Sequence, residues 1–185
     1  MKQHQRHRRS LRLKHFNYSQ KGAYFVTICT KNHMASFEKI PKLKYVILTH
    51  WNELAIRFPE IELDEFVIMP NHIHGIIFIP AKNVGAIHES PLQSRRAMLL
   101  SKAIGYFKMN TAKRINQILN RTGQSFWQRS YYDHIIRNES ELNRIREYIQ
   151  NNPLKWQLDR ENPESKNYNM DQSDYWKDIF SRGDS

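Results

Sequence analysis

The sequence predicts an α+β domain: a four-stranded antiparallel sheet with elements in the order β-α-β-β-α-β, and one added C-terminal helix. Three observations predict it. Short β-branched and aromatic runs alternate with stretches of helical periodicity. Pro41, Pro59, Pro70, Pro80, Gly123 and Pro153 stand where one pattern gives way to the next. The length, 185 residues, suits one compact domain able to bury a core without disulfides.

Ala23 to Thr30 (AYFVTICT) reads as the first strand. Cys29 falls inside it and reads as a small buried hydrophobe. Pro41 opens a helix whose apolar stripe is Leu43, Val46, Ile47, Trp51, Leu54 and Phe58, and Pro59 stops it. Ile61–Met69 and His72–Ile79 read as a hairpin across the Pro70-Asn71 turn. Ala81 to Gln93 reads as a loop. Leu100, Ile104, Phe107, Thr111, Ile115 and Ile118 give a long amphipathic helix with its Lys and Arg off the stripe. Gly123 breaks it, and Arg129–Arg137 reads as a strand. Asn138 is placed to cap the last helix, with Glu141 in capping-box position. That helix runs to about Asn151 and must end near Pro153. The order matches the ferredoxin-like split βαβ arrangement. Two helices would cover one face of the sheet, leaving the other for a ligand, the added helix, or both.

Lys plus Arg number 29 and Asp plus Glu 18, a formal charge of +11, so nucleic acid is the first partner to consider. The charge is uneven. Met1–Phe37 and Ser90–Tyr132 each carry eight Lys or Arg and no acid, whereas seven acids face four bases after Trp156. Three regions follow: a basic arm at 1–17, a domain at 18–156 and an acidic tail at 157–185 that reads as peripheral, although its Tyr168, Tyr175, Trp176, Ile179 and Phe180 could dock on the domain. Arg6, Arg8, Arg9, Arg12 and Lys14 in the arm are candidate phosphate contacts. The lone cysteine excludes an intrachain disulfide and a Cys-rich zinc site. No apolar run is long enough for a membrane span, and no h-region follows the basic start. A reducing cytoplasm, with association to the nucleoid, is the expected setting.

His72 and His74 alternate along a strand, so both imidazoles face one side and can share a divalent metal. Tyr148 and Asn152 stand four apart on the last helix, about 40° apart on the wheel. A metal held by two His and a side-chain oxygen can polarise a phosphodiester. A phenol beside it can attack phosphorus and form a phosphotyrosine. Such mixed ligation suits Mg²⁺ or Mn²⁺ at an open site.

Met69-Pro-Asn-His-Ile-His74, Trp127-Gln-Arg-Ser-Tyr-Tyr-Asp-His-Ile-Ile-Arg137 and Tyr148-Ile-Gln-Asn-Asn-Pro153 together resemble the REP-associated tyrosine transposases. These are single-tyrosine HUH transposases, U being a hydrophobic residue. The likeness spans roughly Tyr18 to Trp156. It implies a ferredoxin-like sheet and cleavage of single-stranded DNA beside palindromic hairpins. It implies a divalent metal on His72 and His74, and Tyr148 as nucleophile, leaving a 5′-phosphotyrosine and a free 3′-hydroxyl. Asn152 stands where the insertion-sequence branch has a metal-binding glutamine. That branch works as a helix-exchanging homodimer and the REP-associated branch can act as a monomer; both states stay open here.

His134 competes with Asn152 for the metal, or contacts DNA, or packs. Phe126, Trp127, Tyr131 and Tyr132 can stack bases or join the core. Arg129 and Arg137 bracket their strand and can hold phosphate, as can Arg95 and Arg96 at the start of the long helix and Lys102 within it. Two other function classes fit the same residues. One is a non-catalytic, domesticated binder of DNA hairpins. The other is a metallohydrolase using metal-bound water, which needs no tyrosine.

Overall fold

Strand β1 (Gly22–Cys29) is buried along its whole length after Gly22, as a central strand packed on both faces must be. It pairs antiparallel with β3 (His72–Ile79) on one side and β4 (Tyr132–Ile136) on the other, and β3 pairs with β2 (Glu62–Ile68). The sheet order is β2-β3-β1-β4, the ferredoxin-like order expected from the sequence. The computed structural model describes residues 22–80, 99–168, 170, 175–176 and 179. The arm with Arg6, Arg8, Arg9, Arg12 and Lys14, the Ala81–Gln93 segment, Arg95, Arg96 and Phe180 lie outside the described residues.

Strand periodicity divides the core into two layers. Tyr24, Val26 and Ile28 of β1 join Ile73 and Ile77 of β3 on the first face. Helices α1 (Ser36–Lys39), α2 (Pro41–Arg57) and α3 (Leu99–Ile118) cover it with Phe37, Leu43, Ile47, Trp51, Leu54, Ile104, Phe107 and Ile115. Phe126 and Trp127 also belong to this core, and Trp127 Nε1 donates to Thr111 Oγ1 at 2.9 Å.

Trp51 lies flat over the middle of β3, stacked on Phe66 with ring centroids 4.5 Å apart. Only a residue without a side chain fits beneath it. A Cβ at Gly75 would come within 2.4 Å of Trp51 Cζ2. Gly75→Ala is therefore expected to cost about 1–3 kcal/mol by overpacking. For a chain of this size that lowers the melting temperature by roughly 2–10 °C, readable by circular dichroism. An unchanged melting temperature would contradict this packing.

The second face carries Ala23, Phe25 and Ile76, with Thr27, Cys29, His72 and His74 further along the same pleat. Helix α4 (Glu139–Asn151) covers it with Leu142, Ile145 and Ile149. Arg146 Nε to Asp64 Oδ2 at 2.8 Å and Gln150 Nε2 to Glu65 Oε1 at 2.9 Å tie α4 to β2.

Three local expectations are modified. The strand expected over Arg129–Arg137 is shorter. Lys108 Nζ takes the carbonyls of Gln128, Arg129 and Ser130 at 2.7, 3.0 and 3.2 Å, which draws that stretch out of the ladder. Asn138 does cap α4, its Oδ1 accepting from Glu141 N at 2.8 Å. Glu141 turns its carboxylate elsewhere, to Arg137 N at 2.7 Å and His134 Nε2 at 2.8 Å. Finally, the segment after Trp156 is not peripheral throughout: Asp159, Glu161, Tyr175 and Trp176 are all buried. Aromatic area explains the last two. Trp176 stacks on Tyr132 (5.3 Å) and meets Phe25 edge-on (5.1 Å).

Candidate active site and metal centre

The antiparallel register sets His72 opposite Cys29 and His74 opposite Thr27, so both imidazoles rise from β3 onto the second face. Both are fully buried. Their Nε2 atoms are 2.9 Å apart. The next residues outward orient them. Asn71 donates its amide hydrogens to the carbonyls of Glu161 (2.6 Å) and His33 (3.3 Å). Its Oδ1 is thereby left to accept from His72 Nδ1 at 2.8 Å. His72 then carries its proton on Nδ1 and presents a bare lone pair at Nε2. Thr27 Oγ1 sits 2.8 Å from His74 Nδ1. When Thr27 accepts there, the Nε2 lone pair of His74 is bare as well.

The third donor near the pair is Asp159, its Oδ2 3.8 Å from His72 Nε2 and 4.0 Å from His74 Nε2. Its other oxygen accepts from Glu161 N at 2.7 Å. His72, His74 and Asp159, all buried, form a group that could hold a metal ion. The donors fit one. Two imidazoles with their outer nitrogens engaged aim their inner lone pairs at one another, an arrangement a shared cation relieves.

Tyr148, on the inner side of α4, brings its hydroxyl within 3.3 Å of His74 Nε2 and 3.3 Å of Asp159 Oδ2. Asn152 follows one turn later, buried, and its Nδ2 donates to Tyr148 Oη at 3.1 Å. The structure thus gathers His72, His74, Tyr148 and Asn152, as expected. It places the Asn152 amide nitrogen on the phenol, however, and a carboxylate from the trailing segment beside the imidazoles. Asp159 was missed because a single acid in a charged, proline-bearing tail carries no periodic signal. The nearest clue was the aromatic content at Tyr168, Tyr175 and Trp176.

His134 shares this face, opposite Phe25, but its Nε2 is engaged by Glu141 rather than by the imidazole pair. Phe126 and Trp127 are core residues, Tyr131 and Tyr132 partly so. Arg129 and Arg137 are exposed at either end of the β4 region. Lys102 is exposed on α3, on the opposite side of the sheet from the histidines.

Burial governs the electrostatics. It holds His72 at about 3, with the neighbouring His74 charge acting in the same direction. Burial also opposes ionisation of Asp159, but electrostatic interaction with His72, the hydrogen bond and interaction with His74 and the Glu161 backbone N–H outweigh it and hold the carboxyl below its usual range. The Tyr148 phenol is pushed well above its usual value by burial, then by the Asp159 charge and by Tyr175. A cation on His72, His74 and Asp159 would reverse the second of these.

The acid side of the stability profile should record this. His72 is near 3 folded and 6.5 when free, so between those values the unfolded chain binds more protons. Stability must then fall as pH drops through that window, by up to about 1.4 kcal/mol per unit or roughly 3–6 °C in melting temperature. Asp159, also depressed, adds the same sign below its free value of 3.8. Thermal melts of metal-free protein from pH 7 to 4 will show this slope; a flat profile would contradict the buried neutral imidazole.

A cleft of about 640 Å³ reaches Tyr148 and Asn152 from outside. Among the described residues, Arg144, Lys155 and Lys166 line it, with Glu147 as the acid. No helix among the described residues is long and apolar enough to cross a membrane.

Parts of this chain are similar to known proteins. The profile of the family described as transposase IS200-like matches residues 91–152, which include α3, β4 and α4 with Tyr148. A Haemophilus influenzae protein of uncharacterised function is 41% identical over 167 residues, 83% of this chain and 92% of that one. A second protein from the same organism carries the provisional name REP-associated tyrosine transposase; it is 25% identical over 142 residues, 75% of this chain and 74% of its own. Among solved structures, a REP-associated tyrosine transposase bound to a REP hairpin is similar with a TM-score of 0.46 and 19% identity, over 78% of this chain and 74% of that one. Residues 91–152 of this chain thus match the family of IS200-like transposases.

Proposed function

We propose that this protein is a transposase, a metal-dependent endonuclease and strand transferase for single-stranded DNA at palindromic hairpin repeats, with Tyr148 as nucleophile. One observation carries the reading: the phenolic oxygen of Tyr148 stands 3.3 Å from His74 Nε2 within a single chain. That placement needs no helix from a second subunit and favours action as a monomer. His72, His74 and Asp159 would hold a divalent cation, Mg²⁺ or Mn²⁺, which supplies charge stabilisation at the phosphate.

The chain's own groups account for the rest. The donated Asn152 amide hydrogen occupies one lone pair of Tyr148 Oη and steadies negative charge there as the proton departs. Asp159 Oδ2 accepts the hydroxyl's hydrogen bond and orients the phenol, and the departing proton passes to solvent in the cleft. The phenolic oxygen bonds to phosphorus, and the bond from phosphorus to the 3′ oxygen breaks. The 3′ oxygen takes up a proton and leaves as hydroxyl, while the 5′ phosphate stays on Tyr148. Attack by a 3′-hydroxyl on that phosphotyrosine reverses the exchange and rejoins DNA. Arg144, Lys155 and Lys166 make the cleft beside Tyr148 a positive approach for the strand. Trp176 meets the His74 ring edge-on at 5.9 Å, and Asp159 closes the other side. A phosphate therefore gains the imidazoles only by displacing part of this cover.

The test is incubation of the full chain with labelled hairpin oligonucleotides and Mn²⁺. Denaturing electrophoresis and mass spectrometry should find a DNA-tagged peptide containing Tyr148. The complete burial of both histidines favours a second reading, a hairpin binder that does not cut. Unimpaired hairpin binding in excess EDTA, with no adduct under any metal, would establish that alternative.

A further inference from the structure

A second cluster of donor atoms lies beside the first, where β1 ends. Cys29 Sγ, a ring nitrogen of His33 and a carboxylate oxygen of Glu161 come from three separate segments, and all lie within 4.8 Å of one another. Cys29 is buried, and its thiol donates to Glu161 Oε2 at 3.4 Å. His33 Nδ1 is 3.3 Å from the same oxygen, yet it is buried without an aligned hydrogen bond. Arg160 Nη1 holds the other carboxylate oxygen at 2.7 Å, which leaves Oε2 as the point of convergence. A cavity of about 200 Å³ opens onto all three, with Gln128 and Tyr168 among its walls.

We propose that Cys29, His33 and Glu161 form a second cation site, of the Zn²⁺ class, distinct from the imidazole pair. One thiolate, one imidazole and one carboxylate make three protein ligands, and the cavity leaves a fourth position for water. The thiolate favours Zn²⁺ over the harder Mg²⁺. Binding requires the thiol to lose its proton, which passes to solvent. His33 must carry its ring proton on Nε2. Gln128 Nε2 is 2.9 Å from that nitrogen; turning the amide end over brings its oxygen there as acceptor. The ion would join the end of β1, the 3-10 turn at Lys31–His33 and the segment bearing Glu161. Since Glu161 N holds Asp159 Oδ1 at 2.7 Å, this tie would also steady the carboxylate of the first site.

Cobalt titration of the full-length, metal-free chain tests the proposal. A thiolate ligand gives Co²⁺ an intense near-ultraviolet charge-transfer band, which the sulfur-free imidazole pair cannot produce. The band should appear at stoichiometric Co²⁺, yield to Zn²⁺, and persist in a His72→Ala/His74→Ala variant. Its loss in Cys29→Ser, with near-ultraviolet circular dichroism unchanged, is expected. Glu161→Gln should weaken Co²⁺ binding by about tenfold or more and carries the test should Cys29→Ser fail to fold. Absence of the band, its dependence on His72 and His74, or unchanged affinity in Glu161→Gln would overturn the second site. None of these outcomes bears on whether Tyr148 cuts DNA.

Discussion

Replacing Tyr148 by Phe is expected to abolish covalent capture of hairpin DNA, lowering adduct formation by at least about a thousandfold. Equilibrium binding should stay within about twofold, because phosphate contacts by Lys and Arg supply most of the affinity. The ring would keep its place. Tyr148 packs edge-on against Phe25 (6.1 Å) and Trp176 (5.6 Å) with its body, not its hydroxyl. The lost atom is the one that Asn152, Asp159 and His74 all address. Loss of three polar contacts partly offsets relief of burying a phenol, so stability should change by about 1 kcal/mol or less. Gel analysis of the adduct beside fluorescence anisotropy separates the two effects. Retained cleavage without an adduct would instead favour a hydrolytic water as nucleophile.

Much of this site was legible in the sequence because it follows from period alone. A strand sets His72 and His74 on one face whatever their surroundings, and the register then opposes them to Cys29 and Thr27. The helical phase of Leu142, Ile145 and Ile149 fixed which way Tyr148 must lean, and these three do form the buried stripe of α4. The sheet order followed from the element order. What period cannot convey is the return of an irregular chain. Asp159 and Glu161 reach the sheet through turns whose hydrogen bonds run between near neighbours, such as Asp159 N to Trp156 O (3.1 Å) and Asn162 N to Asp159 O (3.1 Å). Nothing apolar marks that path until Tyr175 and Trp176. The interruption before β4 was hidden for a related reason: one side chain, Lys108 on a distant helix, takes three successive carbonyls. The candidate DNA contacts differ in how they are placed. Exposed Lys102, Arg129 and Arg137 are scattered over separate surfaces, whereas Arg144, Lys155 and Lys166 gather at the tyrosine cleft.

Asp159 and Asn152 offer the second large effect, since the sequence favours one as third metal ligand and the structure brings the other beside the imidazoles. With Asp159 as the third donor, Asp159→Ala should raise the Kd for Mn²⁺ by about 10–100-fold or more, measured by calorimetry or by the loss of free Mn²⁺ signal in electron paramagnetic resonance. Asn152→Ala should leave that Kd within about threefold and instead slow adduct formation, because its amide touches the phenol at 3.1 Å and a hydrogen bond to a developing charge contributes about 1.5–3 kcal/mol. The electrostatics favour this division. Two neutral imidazoles alone provide no charge to balance a divalent ion, whereas Asp159 is held ionised and buried within 4.0 Å of both. Little water screens a buried carboxylate from a cation beside it, so the attraction between ion and aspartate is strong. Removing the carboxylate should lower the stability of the metal-free fold near neutral pH, because its depressed pKa marks a net favourable folded-state environment, and should erase the rise in melting temperature that Mn²⁺ confers on the wild type. The opposite pattern, with Mn²⁺ affinity lost in Asn152→Ala and kept in Asp159→Ala, would return the ligand role to the helix and leave Asp159 as partner to the tyrosine hydroxyl alone.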